Sequence, residues 1–189
     1  MNSIINYFDK EFGLTDIEKA KLKYTLDVLF TDVSKLLILF VIFHILGVSK
    51  DFIYSVLALL TIRPFTGGLH FKTYTTCFIF TFFFFSIAII LNNIISLGYS
   101  AIYLMIFSCI VVLSIAPIIH KNRPGYSNHK KRHFKYLALS VVLLHLILYL
   151  IAMANPYLNI SIWVITLQSI QLLIRKGVDI YEKINKNFT

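Results

Sequence analysis

Between Asp51 and Asp179 the chain carries no acidic side chain, so residues 52–178, 127 positions in all, contain neither Asp nor Glu. A water-soluble domain needs charges of both signs spread over its surface, roughly 25% of its residues on average. Here charged residues make up 14% of 189 positions and hydrophobic ones 58%. Long apolar runs with so little charge read as membrane spans. The expected fold class is therefore all-α, a polytopic transmembrane helical protein. Six apolar segments carry this reading, at about 36–48, 52–62, 73–91, 99–119, 134–154 and 157–174. The last four approach or reach the ~20 residues needed to cross a bilayer. The first two are shorter, so the spacing allows six crossings, or four crossings plus a re-entrant pair, hence four to six membrane segments.

Three regions follow. Residues 1–35 form an amphipathic interfacial N-terminal region, residues 36–174 the transmembrane domain that holds the candidate chemistry, and residues 175–189 a basic tail. Thr15 followed three positions later by Glu18 matches a capping box and predicts a helix start there. The first residues lack the basic start, apolar core and small-residue cleavage site of a secretory signal, so none is expected. Orientation comes from the excess of Lys and Arg in cytoplasmic loops. The loops 92–98 and 155–159 carry no Lys or Arg, whereas the loop 120–135 holds Lys121, Arg123, Lys130, Lys131, Arg132 and Lys135. Alternating segments then place both termini and the stretch from Arg63 to Lys72 on the cytoplasmic side of the cell membrane. The net charge of +9 is accounted for by attraction to anionic membrane lipids, and no nucleic-acid partner is expected.

One segment concentrates chemistry. Arg63-Pro64-Phe65-Thr66-Gly67-Gly68-Leu69-His70, followed by Cys77, combines helix breakers with a cation, an imidazole and a thiol. Irregular backbone at membrane depth is tolerated where protein or a water-filled cavity covers it. A cysteine attacks carbonyls as its thiolate, and His70 can take the proton and return it to a leaving amine. Arg63 and Lys72 favour the thiolate, and backbone donors at Gly67 and Gly68 suit oxyanion stabilisation. Seven positions on a straight helix return to one face, but about 10.5 Å away along the axis. A working pair therefore requires residues 68–75 to fold back, or His70 to lean over the helix that carries Cys77. With no carboxylate nearby in sequence, a dyad is favoured over a triad.

The other polar candidates have plainer readings. Cys109 is expected to be a packing residue, and His44 and His145 structural histidines without metal-like spacing. His120, His129 and His133 flank the basic loop at irregular intervals among cations, which argues against a metal site. Neither a metal nor a cofactor is expected. The phenylalanine block 82–85 is read as lipid-facing or packing material.

The run R-P-F-T-G-G-L-H-F-K-T-Y-T-T-C resembles the signature of the accessory gene regulator B (AgrB) family of membrane peptidases. Chain length, hydrophobic layout and the later Ala116-Pro117 before a basic loop with Asn122-Arg123-Pro124 also fit, so the similarity covers most of the chain. The resemblance implies a membrane-embedded cysteine endopeptidase of Gram-positive quorum sensing. Such enzymes remove the C-terminal part of a precursor peptide, AgrD, and promote cyclisation of the remainder to a thiolactone or lactone autoinducer. It further implies Cys77 as nucleophile and His70 as general base, with Arg63, Gly67 and Gly68 at supporting motif positions. The partners expected are an AgrD-like precursor and anionic lipids, with a homodimer left open. The alternative is a peptide transporter or exporter without proteolysis. The spans lack acidic residues to couple protons or sodium, which disfavours secondary active transport.

Overall fold

A computed structural model describes the chain apart from Met1, residues 70–72, residues 119–125, Ala154 and residues 187–189. The described residues contain seven α-helices and no strand, as the all-α reading requires. They divide into two compact units, residues 1–47 and 48–189.

The first unit is a helical hairpin. Helix α1 (Asn2–Phe12) and α2 (Asp16–Ile45) are joined at Gly13, which takes φ 59°, a left-handed value glycine adopts without steric cost. The capping box expected from sequence is present. The Thr15 amide donates to Glu18 Oε2 at 2.9 Å, and the Glu18 amide donates to Thr15 Oγ1 at 3.4 Å. An ion pair between Lys19 and Asp9 at 2.8 Å ties the two helices together. Helix α2 runs unbroken through position 35, so the charged N-terminal stretch and the apolar segment 36–48 share one helix. Asp32 accepts from Lys35 at 2.7 Å, one turn apart, which pairs the charges that border the apolar segment.

The second unit contains α3 (Ser49–Thr66), α4 (Tyr74–Ile94), α5 (Ser100–Ile115), α6 (Asn128–Ile151) and α7 (Pro156–Lys186). Helix α7 is central and packs against each of the other four. In its most apolar stretch 61% of residues are buried, against 22% in α4 and in α6. The outer helices instead expose large apolar side chains, such as Phe83, Ile90, Leu144 and Ile147, as lipid-facing surfaces do. Asn155 starts α7 by accepting from the Tyr157 amide at 2.9 Å. Pro156 at the first helical position loses no bond, because that amide has no intrahelical partner anyway.

Four helices are long and apolar enough to cross a membrane: Asp16–Ile45, Tyr74–Ile94, Asn128–Ile151 and Pro156–Glu182. The chain is thus a multi-pass membrane protein. The segment expected at 99–119 is shorter than its apolar run. Helix α5 has 16 residues, about 24 Å at the usual helical rise, against ~30 Å of hydrocarbon. It stops because Pro117, preceded by a cis peptide, has no amide to continue the ladder and forces its neighbour out of helical backbone. Ala116 is accordingly extended, with ψ 150°.

A glycine break braced by two distant segments

The candidate site lies where α3 ends. Arg63 and Pro64 occupy its last turn, and the Gly67 amide donates back to the Arg63 carbonyl at 2.9 Å. Gly67 takes φ 73° and ψ −154°, a conformation open to glycine alone. A β-carbon there would also run into the Ile118 carbonyl oxygen. Residues 67–69 are non-helical, and Arg63 Nη2 reaches the Leu69 carbonyl at 3.5 Å. This excludes one straight helix through residues 68–75.

Two segments far away in sequence brace the break. The Ile118 amide, just after Pro117, donates to the Thr66 carbonyl at 2.9 Å. From α7, Gln168 Nε2 donates to Thr66 Oγ1 at 3.0 Å and to the Gly67 carbonyl at 2.7 Å. Gln171 follows three positions later on the same face of α7. Its amide nitrogen would stand 3.2 Å from a β-carbon on Gly68, with Arg63 Cζ at 3.6 Å. Gln168 is fully buried and Gln171 is 2% exposed. Yet among the described residues Gln168 Oε1 and both polar atoms of Gln171 have no hydrogen-bond partner. Leaving such groups unpaired costs on the order of 1–3 kcal/mol each.

Cys77 begins the next helix. Thr73 caps α4 by accepting from the Thr76 amide at 3.3 Å, and the two threonine hydroxyls also touch. The Cys77 amide donates to the Thr73 carbonyl at 3.3 Å, so Cys77 stands in the first helical turn. Cys77 is half-buried and in no disulfide. His70 lies outside the described residues, as do Lys72 and His120.

The structure thus gathers Arg63, Gly67 and Gly68 into one cluster with Thr66, Ile118, Gln168 and Gln171. The two glutamines were missed from sequence. Two amides three positions apart inside an apolar span were the available signal, because polar side chains in spans face the protein interior. Cys109 packs at the margin of the hydrophobic core. His145 has its Nδ1 2.9 Å from the Val141 carbonyl, and His44 stacks on Phe40 at 6.0 Å. His145 is buried, as a structural histidine would be, whereas His44 is exposed. Among the described residues no cluster of three His, Cys, Asp or Glu side chains is placed to hold a metal.

Fold and site define a polytopic α-helical membrane protein with a braced glycine break before a cysteine-bearing helix. The sequence model for accessory gene regulator B matches residues 1–172. An AgrB-like protein of Clostridium beijerinckii is 30% identical over 179 residues, covering 93% of this chain and 88% of that protein. AgrB-like protein 1 of Clostridium perfringens (strain 13 / Type A) is 26% identical over 174 residues, covering 91% and 93%. No solved structure matches the chain. The chain belongs to the accessory gene regulator B family.

Proposed function

We propose that the protein is a membrane-embedded cysteine endopeptidase that cleaves a quorum-sensing precursor peptide and promotes its cyclisation. The observation that carries this reading is the Cys77 thiol, in no disulfide and in the first turn of α4, directly after a glycine-rich break. In the reaction, His70 takes the proton of Cys77, and the thiolate adds to the scissile carbonyl carbon. The peptide C–N bond breaks, His70 protonates the leaving amine, and the acyl group remains on Cys77 as a thioester. The precursor's own thiol or hydroxyl then attacks that carbonyl, its proton passes to His70, and Cys77 leaves as the ring closes to a thiolactone or lactone. Water must stay out for ring closure to outrun hydrolysis, which suits a site at the membrane edge.

The cluster behind the break supports a peptide substrate. Gln168 holds the Gly67 carbonyl, while the Gln171 amide beside Gly68 has an unused donor and an unused acceptor. That pair matches the acceptor and donor of one peptide unit. Arg63 stabilises negative charge at the same place. The substrate is an AgrD-like precursor, and both chain termini and the catalytic pair face the cytoplasm.

The test uses the full chain in liposomes with a synthetic precursor. Wild type releases the C-terminal fragment, while Cys77→Ala and His70→Ala insert normally and release none. Normal processing by Cys77→Ala would overturn the assignment. Intact peptide carried across the bilayer would favour an exporter instead.

A further inference from the structure

A cavity of about 500 Å³ opens where α5 ends, α6 begins and the last turns of α7 pass. It is lined by residues 114–118, by Asn128, Lys131, Arg132 and Lys135 from α6, and by Lys176 and Asp179 from α7. None of these side chains takes part in the proposed peptidase chemistry. Among the described residues Asp179 is the one carboxylate in the wall, and it is already engaged. Its Oδ1 lies 2.9 Å from Arg175 Nη2, an ion pair by distance although the alignment falls short of a hydrogen bond. The four wall cations have no carboxylate within ion-pair reach among the described residues. Four like charges around one cavity repel one another, an arrangement that an anion relieves.

The depth of the cavity selects the anion. Helix α6 becomes apolar from Tyr136 onward, and the apolar stretch of α7 ends at Ile174. Lys131, Lys135 and Lys176 therefore sit within about two turns of the hydrocarbon boundary, the level of lipid headgroups. A volume of about 500 Å³ falls in the range of small-ligand sites, ~300–1,000 Å³. The Arg132 fork and three ammonium groups suit the several oxygens of a phosphate. Basic pockets between transmembrane helices bind phospholipid headgroups by this chemistry.

We infer that this cavity is a phosphate-binding site for the headgroup of an anionic phospholipid, held by Lys131, Arg132, Lys135 and Lys176. The site adjoins the glycine break through its own wall, because the Ile118 amide that braces Thr66 belongs to the segment lining it. Headgroup binding stands whether or not the protein is a peptidase.

The test measures retention of phosphatidylglycerol and of phosphatidylcholine by the purified full chain in detergent, using native mass spectrometry. Wild type retains phosphatidylglycerol selectively. Lys131→Gln/Lys176→Gln, which removes two basic contacts, binds it about thirtyfold more weakly. The control Lys21→Gln/Lys23→Gln, which removes two exposed lysines outside the cavity, stays within about twofold of wild type. Charge-conserving Lys131→Arg/Lys176→Arg keeps binding, which separates lost contacts from lost fold. Equal weakening by the two glutamine variants would overturn the site in favour of general attraction. Equal retention of both lipids would overturn it outright. Full displacement of the lipid by millimolar inorganic phosphate would overturn the lipid source.

Discussion

At one end of the α3–α7 bundle the Asn159 amide is satisfied on both sides, whereas at the other the Gln171 amide is satisfied on neither. Asn159 Oδ1 accepts from the Leu97 amide at 3.3 Å, and its Nδ2 donates to Asn92 Oδ1 at 2.8 Å and to the Ile95 carbonyl at 3.3 Å. Tyr149 closes the same end by donating to the Gly98 carbonyl at 3.1 Å, and Tyr54 stacks on Tyr157 at 4.0 Å. Both glutamines and Asn159 lie on α7, so one helix carries a closed polar network at its start and open hydrogen-bonding capacity two to three turns later. The serine and threonine hydroxyls between them donate to their own helix, Thr166 to the Ile162 carbonyl and Ser169 to Ile165. Apart from the Trp163 indole N–H, the open capacity of this stretch lies in the amides that face the glycine break. A finished network fixes a fold; the unfinished one beside the glycine break is where the proposed peptide substrate would complete it.

Four substitutions bear on this contrast. Gly67→Ala should have the largest effect, since it forces both a forbidden φ and a clash with the Ile118 carbonyl. Thermal unfolding should show a loss of about 2–4 kcal/mol, with precursor processing abolished; a folded, active alanine variant would break the picture of the brace. Asn159→Leu comes next, leaving the Leu97 amide and the Asn92 side chain unpaired for a loss of about 2–3 kcal/mol. Processing per folded molecule should stay near wild type, because this end is structural. Gln171→Leu should act in the opposite way, leaving stability unchanged or raising it by about 1 kcal/mol as an unpaired amide disappears. Processing should fall about tenfold, seen mainly as a raised KM; a destabilised Gln171→Leu with unchanged kinetics would make both ends structural. Tyr149→Phe removes one neutral hydrogen bond and should cost about 1 kcal/mol without touching processing.

Much of this architecture can be read in the sequence, because composition and local backbone chemistry decide it. The acid-free stretch identifies a membrane protein, Thr15 and Glu18 mark the start of α2, and Gly67 marks the break after α3. Pro117 was visible too, yet the apolar run 99–119 reads straight through it, since hydropathy ignores the missing amide. What could not be read is what depends on partners distant along the chain. Gln168 meets Thr66 across 102 positions, and Asn159 meets Asn92 across 67. Periodicity can assign such residues to an inward face, but not name what they touch. The relation of His70 to Cys77 belongs to the same class, reduced by the sequence to a demand for bent chain between them.

The brace around Gly67 also has an order in time. Its parts come from the end of α3, the segment after α5 and the middle of α7, and a membrane chain is synthesised from its N-terminus onward. Cys77 is therefore made long before Ile118, and Gln168 and Gln171 follow only with the last helix. A nascent chain still emerging from the ribosome has its thiol but not the frame around it. Completion of α7 is the step that supplies Gln168 and so closes the brace around the glycine break.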